Sequence, residues 1–244
     1  AKKAVPPALM KEAALSLPVK KFAFRKALGR ARTIAVIAEI KKKSPSGGLL
    51  RRRFNAAKIA GQYEAAGAAA ISVLTDEKYF GGSASLLARV KKAVSLPVLR
   101  KDFIVDEYQV YETRLLGADA LLLIARALTK QKLRSLFRIA DRLGLDVLFE
   151  VHDAAELKKV LDLKPVIVGV NNRDLGTLHV DLAVSAKLSP KIPRKVIFVS
   201  ESGVRTNLDL RFLRTIGADA VLVGESLMRQ KHPGKALRKL SGRM

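Results

Sequence analysis

The strongest constraint on the fold of this 244-residue chain is an alternation along its length. Eight short apolar runs lie at 34–40, 69–75, 97–101, 120–124, 146–151, 166–171, 195–200 and 220–223. Each is followed by a stretch of helical period, at 56–66, 84–94, 107–116, 130–143, 154–161, 180–188, 207–216 and 227–240. Apolar, β-branched runs of this length fit strands buried on both faces, as in a parallel sheet. Thr129, Asp153 and Thr206 stand where helix N-caps are expected. Gly67-Ala-Ala-Ala, Gly117-Ala-Asp-Ala and Gly217-Ala-Asp-Ala recur where a helix must stop and turn closely into the next run. Eight such units predict an α/β fold, a single (β/α)8 TIM barrel. The alternative is a doubly wound open sheet, which would not need eight units here and normally carries a Gly-rich nucleotide loop that this chain lacks. Residues 1–33 read as a short N-terminal helical extension and 34–244 as the barrel, one domain overall. Within the extension an amphipathic patch spans 8–17 and a basic stretch 20–32, and Phe22 and Phe24 are candidates to plug the bottom of the barrel.

Composition narrows the function. With no Cys there is no disulfide, thiolate nucleophile or Cys-ligated metal, and the three His, at 152, 179 and 232, show no ligand spacing. No metal and no cofactor are expected. No apolar run approaches the roughly 18 residues of a membrane span, and no secretory h-region follows the basic start, so a cytoplasmic protein without a membrane partner is expected. The net charge of +24 favours anionic partners, phosphates especially. The basic residues are spread over all the helical stretches, aromatic residues make up 5%, and no nucleic-acid motif is present, so specific nucleic-acid binding is not expected. A basic scaffold that binds polyanions is the alternative from a different class. Scarce Asn and Gln, with no Cys or Trp, fit a thermostable, ancestral-type or engineered chain.

In such a barrel the chemistry sits at the C-terminal ends of the strands. There the sequence places Glu39, Lys41 and Ser44 after the first run, Lys101 and Phe103 after the third, and Glu150 in the fifth. Asn171 and Arg173 close the sixth, Glu201, Ser202 and Gly203 the seventh, Gly224 and Glu225 the eighth. Glu39 and Lys41, two apart, share one side of the pleat, and a buried carboxylate needs such a partner. Lysines and glutamates converging on one mouth suit acid–base work; a plain structural ion pair is the alternative for each. A lysine among cations has its pKa lowered, and Glu150, flanked by Phe149 and Val151, is the candidate for a raised one. The turns at Gly203 and Gly224 follow the strands where barrels commonly hold a phosphate. Phe80, Phe103, Leu122 and Leu175 sit near the same rim, by default as core packing, with one or two able to form an aromatic slot.

Six segments carry a family resemblance: Ala38-Glu-Ile-Lys-Lys-Lys-Ser-Pro-Ser-Gly, Ser72-Val-Leu-Thr-Asp-Glu-Lys-Tyr-Phe-Gly-Gly, Pro97-Val-Leu-Arg-Lys-Asp-Phe-Ile-Val-Asp, Glu150-Val-His-Asp, Gly169-Val-Asn-Asn-Arg-Asp-Leu and Ser200-Glu-Ser-Gly-Val. In order and in register over roughly 20–230, they resemble the indole-3-glycerol phosphate synthases, tryptophan-pathway barrels. The resemblance implies a cofactor-free ring closure of a small phosphorylated substrate by a monomer. It makes Lys101 the general acid, Lys41 the group that neutralises the substrate carboxylate or assists the later steps, Glu150 an acid/base, and Glu39 a group that orients the lysines. It also implies that Asn171 and Ser202 bond substrate oxygens, and that Arg173, Gly203, Gly224 and the Glu225 backbone surround the phosphate. Phe80 and Leu122 would pack on the anthranilate ring, with Ser44, Phe103 and Leu175 beside the substrate. The chain departs from the family in a shorter N-terminal extension, in its high charge, and in lacking the basic residue usual near Gly47. The neighbouring phosphoribosylanthranilate isomerases rely on a cysteine, which this chain does not have.

Overall fold

The computed structural model describes residues 5–19, 21–29 and 33–243. The apolar runs are strands: β1 (Ala35–Ile40), β2 (Ala70–Leu74), β3 (Val98–Lys101), β4 (Ala120–Ile124), β5 (Asp146–Val151), β6 (Ile167–Asn171), β7 (Ile197–Glu201) and β8 (Ala220–Val223). Each pairs in parallel with its neighbours in chain order. Because β1 pairs with β2 on one side (Ile37 opposite Ala70) and with β8 on the other (Ala35 opposite Ala220), the sheet is closed and the open-sheet alternative is excluded. The molecule is a (β/α)8 barrel.

The pleat sorts the side chains into two layers. Ala35, Ile37, Leu99, Leu122, Leu148 and Val199 belong to the inner core. Val36, Ala38, Leu121, Phe149 and Val168 point outward and pack in the layer under the helices. Arg100, between inward Leu99 and Lys101, follows the outward set and is buried against Asp102 and Glu112, at 3.0 and 2.8 Å.

The opposite end of the barrel is stopped by helix Ala23–Gly29, whose Phe24 and Leu28 are buried in the inner core. Asp146, at the start of β5, ties this helix down: it accepts the Arg25 backbone N–H at 2.9 Å and pairs with the Arg25 guanidinium. Phe22 does not share the plugging role. Its backbone turns left-handed (φ 50°), and its ring faces the Arg25 guanidinium at 4.0 Å. The amphipathic patch forms helix Pro7–Ser16, which buries Met10 and Ala14 and packs on helix Glu107–Leu115. Part of the basic stretch, at 20 and 30–32, lies outside the described residues.

Thr129, Asp153 and Thr206 cap as expected, accepting from the backbone N–H groups of Lys132, Glu156 and Asp209. Three local features differ from the periodic reading. The run 227–240 is two helices, Glu225–Met228 and Pro233–Leu240, because Pro233 has no N–H and disfavours helical backbone at His232. The helix expected from 180 starts at Ala183, since Val180 makes an antiparallel bridge to Arg173. The loop after β1 carries a two-residue antiparallel ladder, Lys43–Ser44 with Gly48–Leu49. Among the described residues no helix is long and apolar enough to cross a membrane.

Candidate active site

The parity that fills the interior also sets its open end. Two residues beyond the last inward core side chain, β1 offers Glu39, β3 Lys101, β5 Glu150 and β7 Glu201. Across β6, Glu150 lies opposite Gly169 and Glu201 opposite Asn171. They line one cavity of about 1120 Å³ at the C-terminal ends of the strands. Lys101 Nζ donates to Glu150 Oε2 at 2.9 Å and stands 3.4 Å from Glu201 Oε2. Lys41 Nζ is 2.8 Å from Glu39 Oε1. Three buried carboxylates and two ammonium groups thus share the floor.

Two glycines make room for them. A Cβ at Gly169 would stand 2.1 Å from Glu201 Oε1, and one at Gly224 2.3 Å from Glu39 Oε1. Neither requirement is conformational; each is a matter of space.

The electrostatics invert two expectations. Burial alone would lower the Lys101 pKa, but the carboxylates of Glu150, Glu201 and Glu39 outweigh it and raise it. Burial pushes Glu150 up, yet Lys101, His152 and a hydrogen bond from Asn171 hold it below the usual carboxylate range. The raised carboxyl is Glu201, pushed up to about 8 by burial and by the Glu150 and Glu39 charges, against the pull of Lys101. The apolar neighbours of Glu150 in sequence, Phe149 and Val151, point outward and do not set its environment.

The remaining expected residues line the same cavity. Ser202 takes a left-handed backbone (φ 65°), unusual for a side-chain-bearing residue, and donates from Oγ to Asn171 Oδ1 at 2.9 Å. Gly203 follows it, also left-handed. Ser44 accepts the Gly47 N–H at 3.0 Å and shapes the first loop. At the outer rim Glu225 bridges two arginines, 3.7 Å from Arg173 and 2.9 Å from Arg229. Arg229 also donates to the Gly47 carbonyl at 3.1 Å, so a guanidinium occupies the place where the sequence lacks a basic residue. Phe80 and Phe103 are neighbours, their ring centroids 6.5 Å apart. Phe103 and Leu175 are 44% and 45% exposed, so core packing is not their role, whereas Leu122 is buried in the floor.

Sequence reasoning assigned no role to Glu201, Arg229 or Tyr79, all of which line the cavity. Glu201 was legible, because it lies two residues beyond inward Val199. Arg229 was not, because its contact with the Gly47 carbonyl joins positions 182 residues apart in sequence.

Buried carboxylates and ammonium groups at the strand ends, beneath an arginine- and glycine-lined rim, define a barrel enzyme of acid–base chemistry. Residues 1–240 match the family described as indole-3-glycerol phosphate synthase. A protein of that name from Ruminiclostridium cellulolyticum is 51% identical over 221 residues, 91% of this chain and 85% of the relative. Those from Acidithiobacillus ferrooxidans and Chromobacterium violaceum are each 52% identical, over 206 and 214 residues, covering 84% and 88% of this chain and 78% and 80% of the relatives. The chain belongs to the indole-3-glycerol phosphate synthase family.

Proposed function

We propose that this chain closes the indole ring of 1-(2-carboxyphenylamino)-1-deoxyribulose 5-phosphate, releasing CO2 and water and forming indole-3-glycerol phosphate. The observation that carries the reading is the Lys101 ammonium held between Glu150 and Glu201 on the cavity floor. The ring carbon bearing the carboxylate attacks the ribulose carbonyl, and Lys101 gives its proton to the carbonyl oxygen. A lysine of raised pKa keeps that proton until charge builds on the oxygen, when donation is most useful. Lys41, oriented by Glu39, faces the substrate carboxylate, which leaves as CO2 while its electron pair restores the aromatic ring. Lys101, reprotonated from solvent, gives a second proton to the new hydroxyl, which leaves as water, and Glu150 takes the proton whose loss completes the indole. Asn171 and Ser202 hydrogen-bond the substrate oxygens. Arg173, Gly203, Gly224 and the Glu225 backbone hold the phosphate. Phe80 and Leu122 pack on the anthranilate ring, with Ser44, Phe103 and Leu175 closing the rim. A diffusible phosphorylated substrate supports work in the cytoplasm.

The test is direct. Incubation with the substrate should produce indole fluorescence, and no turnover at any temperature up to unfolding would overturn the reading. Lys101→Ala should fold normally and lose about 10²–10⁴-fold in kcat. A loss below tenfold would remove Lys101 from the acid role.

A further inference from the structure

The two oxygens of Glu150 have different neighbours. Oε2 accepts from Lys101 at 2.9 Å, while Oε1 lies 3.4 Å from Nε2 of His152. The His152 side chain is 4% exposed, and its Nε2 makes no hydrogen bond within the described residues. On the other edge of the ring, Nδ1 is 3.1 Å from Glu156 Oε2, which also accepts the His152 backbone N–H at 2.8 Å. Glu156 is fixed in turn: Arg126 Nε donates to its other oxygen at 2.6 Å, and its backbone N–H is capped by Asp153. Burial raises the Glu156 carboxyl, but His152 and Arg126 hold it well below the usual range, so it stands as a carboxylate.

A carboxylate only accepts, so the hydrogen of the Glu156 contact belongs to Nδ1. Nε2 then faces Oε1 of Glu150. Two lone pairs or two hydrogens across that contact repel, and a single proton satisfies it.

We propose that His152 is a positioning residue for Glu150: anchored by its Nδ1–H on Glu156, it holds the Glu150 carboxyl at Oε1 through one proton shared with Nε2. This rests on the ring-closure reading above. The charged and titratable groups that bear on the pair are Lys101 on β3, Arg126 after β4, Asp153 and Glu156 at helix Ala154–Leu161, and Glu201 on β7. Asn171 on β6 adds a neutral hydrogen bond to Glu150.

His152→Asn keeps an amide N–H for Glu156 and removes the ring nitrogen that faces Oε1 of Glu150. It should lower kcat about 10- to 100-fold with KM within about threefold, and move the acid limb of the kcat profile up by about one pH unit. His152→Gln, whose amide reaches further, should recover part of the lost kcat. In the wild-type chain without substrate, the ring nitrogen-15 shifts of His152, identified by their loss in either variant, should show hydrogen on Nδ1 at neutral pH. A kcat and pH profile within about twofold of wild type in His152→Asn would overturn the proposal, as would a neutral ring with hydrogen on Nε2 alone. If His152→Asn does not fold, the wild-type ring spectrum and His152→Gln decide. Absence of turnover in the wild type fails the ring-closure reading as well, whereas normal turnover with an indifferent His152→Asn fails this proposal alone.

Discussion

Glu201 shows what a single side chain costs a protein that needs it. It is 2% exposed, and within the described residues neither oxygen has a formed hydrogen bond. Its nearest relief is Lys101 at 3.4 Å, which also serves Glu150. The carboxyl titrates at about 8 in the fold against an ordinary 4.5. A carboxyl raised by folding binds its proton more tightly in the native state, so the stability it contributes is complete below pH 4.5 and is lost as pH rises to about 8. Glu201→Gln removes that loss. Its Tm should match wild type near pH 4.5, exceed it increasingly toward pH 8, and run parallel above; a Tm difference that ignores pH would show that Glu201 does not titrate in this range. The sequence marked a different residue, Glu150, because apolar letters stand on both sides of it. In a strand those letters face the other way, and the true neighbours, Lys101 and His152, lie 49 residues back and two residues ahead. Which acids and bases gather was legible from the strand ends; the sign of each pKa shift was not, since it depends on cross-barrel distances.

At the scale of elements, helix Ala23–Gly29 carries weight out of proportion to its length. Phe24 and Leu28 complete the inner core from below, and Asp146 anchors the helix to β5. Phe24→Ala should cost about 3–5 kcal/mol in unfolding free energy, read by denaturant titration. Because the reacting groups sit at the other end of the strands, kcat measured well below Tm should stay within about twofold. A collapse of kcat in a folded variant would show that the two ends are coupled. Several elements could be read to the residue: β4, β5, β8 and helix Ala154–Leu161 have the bounds their periodicity predicts. Two others could not. A ladder of two residues per strand and a four-residue helix at Glu77–Phe80 are too brief to show a period, and both are held by tertiary contacts such as Lys43 Nζ donating to the Lys78 carbonyl at 2.8 Å. Pro233 was a visible stop signal inside an otherwise continuous pattern.

For the whole molecule, the charge of +24 acts on encounter rather than on chemistry. The substrate reading gives an anion of several charges, drawn toward a basic surface. Raising ionic strength from about 20 to 500 mM shortens the screening length severalfold and should lower kcat/KM several-fold while kcat changes less than about twofold. A kcat/KM that ignores salt would mean that long-range attraction plays no part in capture. Composition exposed this property at once, whereas the barrel's closure needed the pairing of β1 with both β2 and β8 to be demonstrated.

The stopper formed by Phe24 and Leu28 has a kinetic corollary. With that end sealed, arrivals and departures use the same doorway, and newcomers must wait for it to clear. Indole-3-glycerol phosphate should therefore inhibit competitively against its precursor.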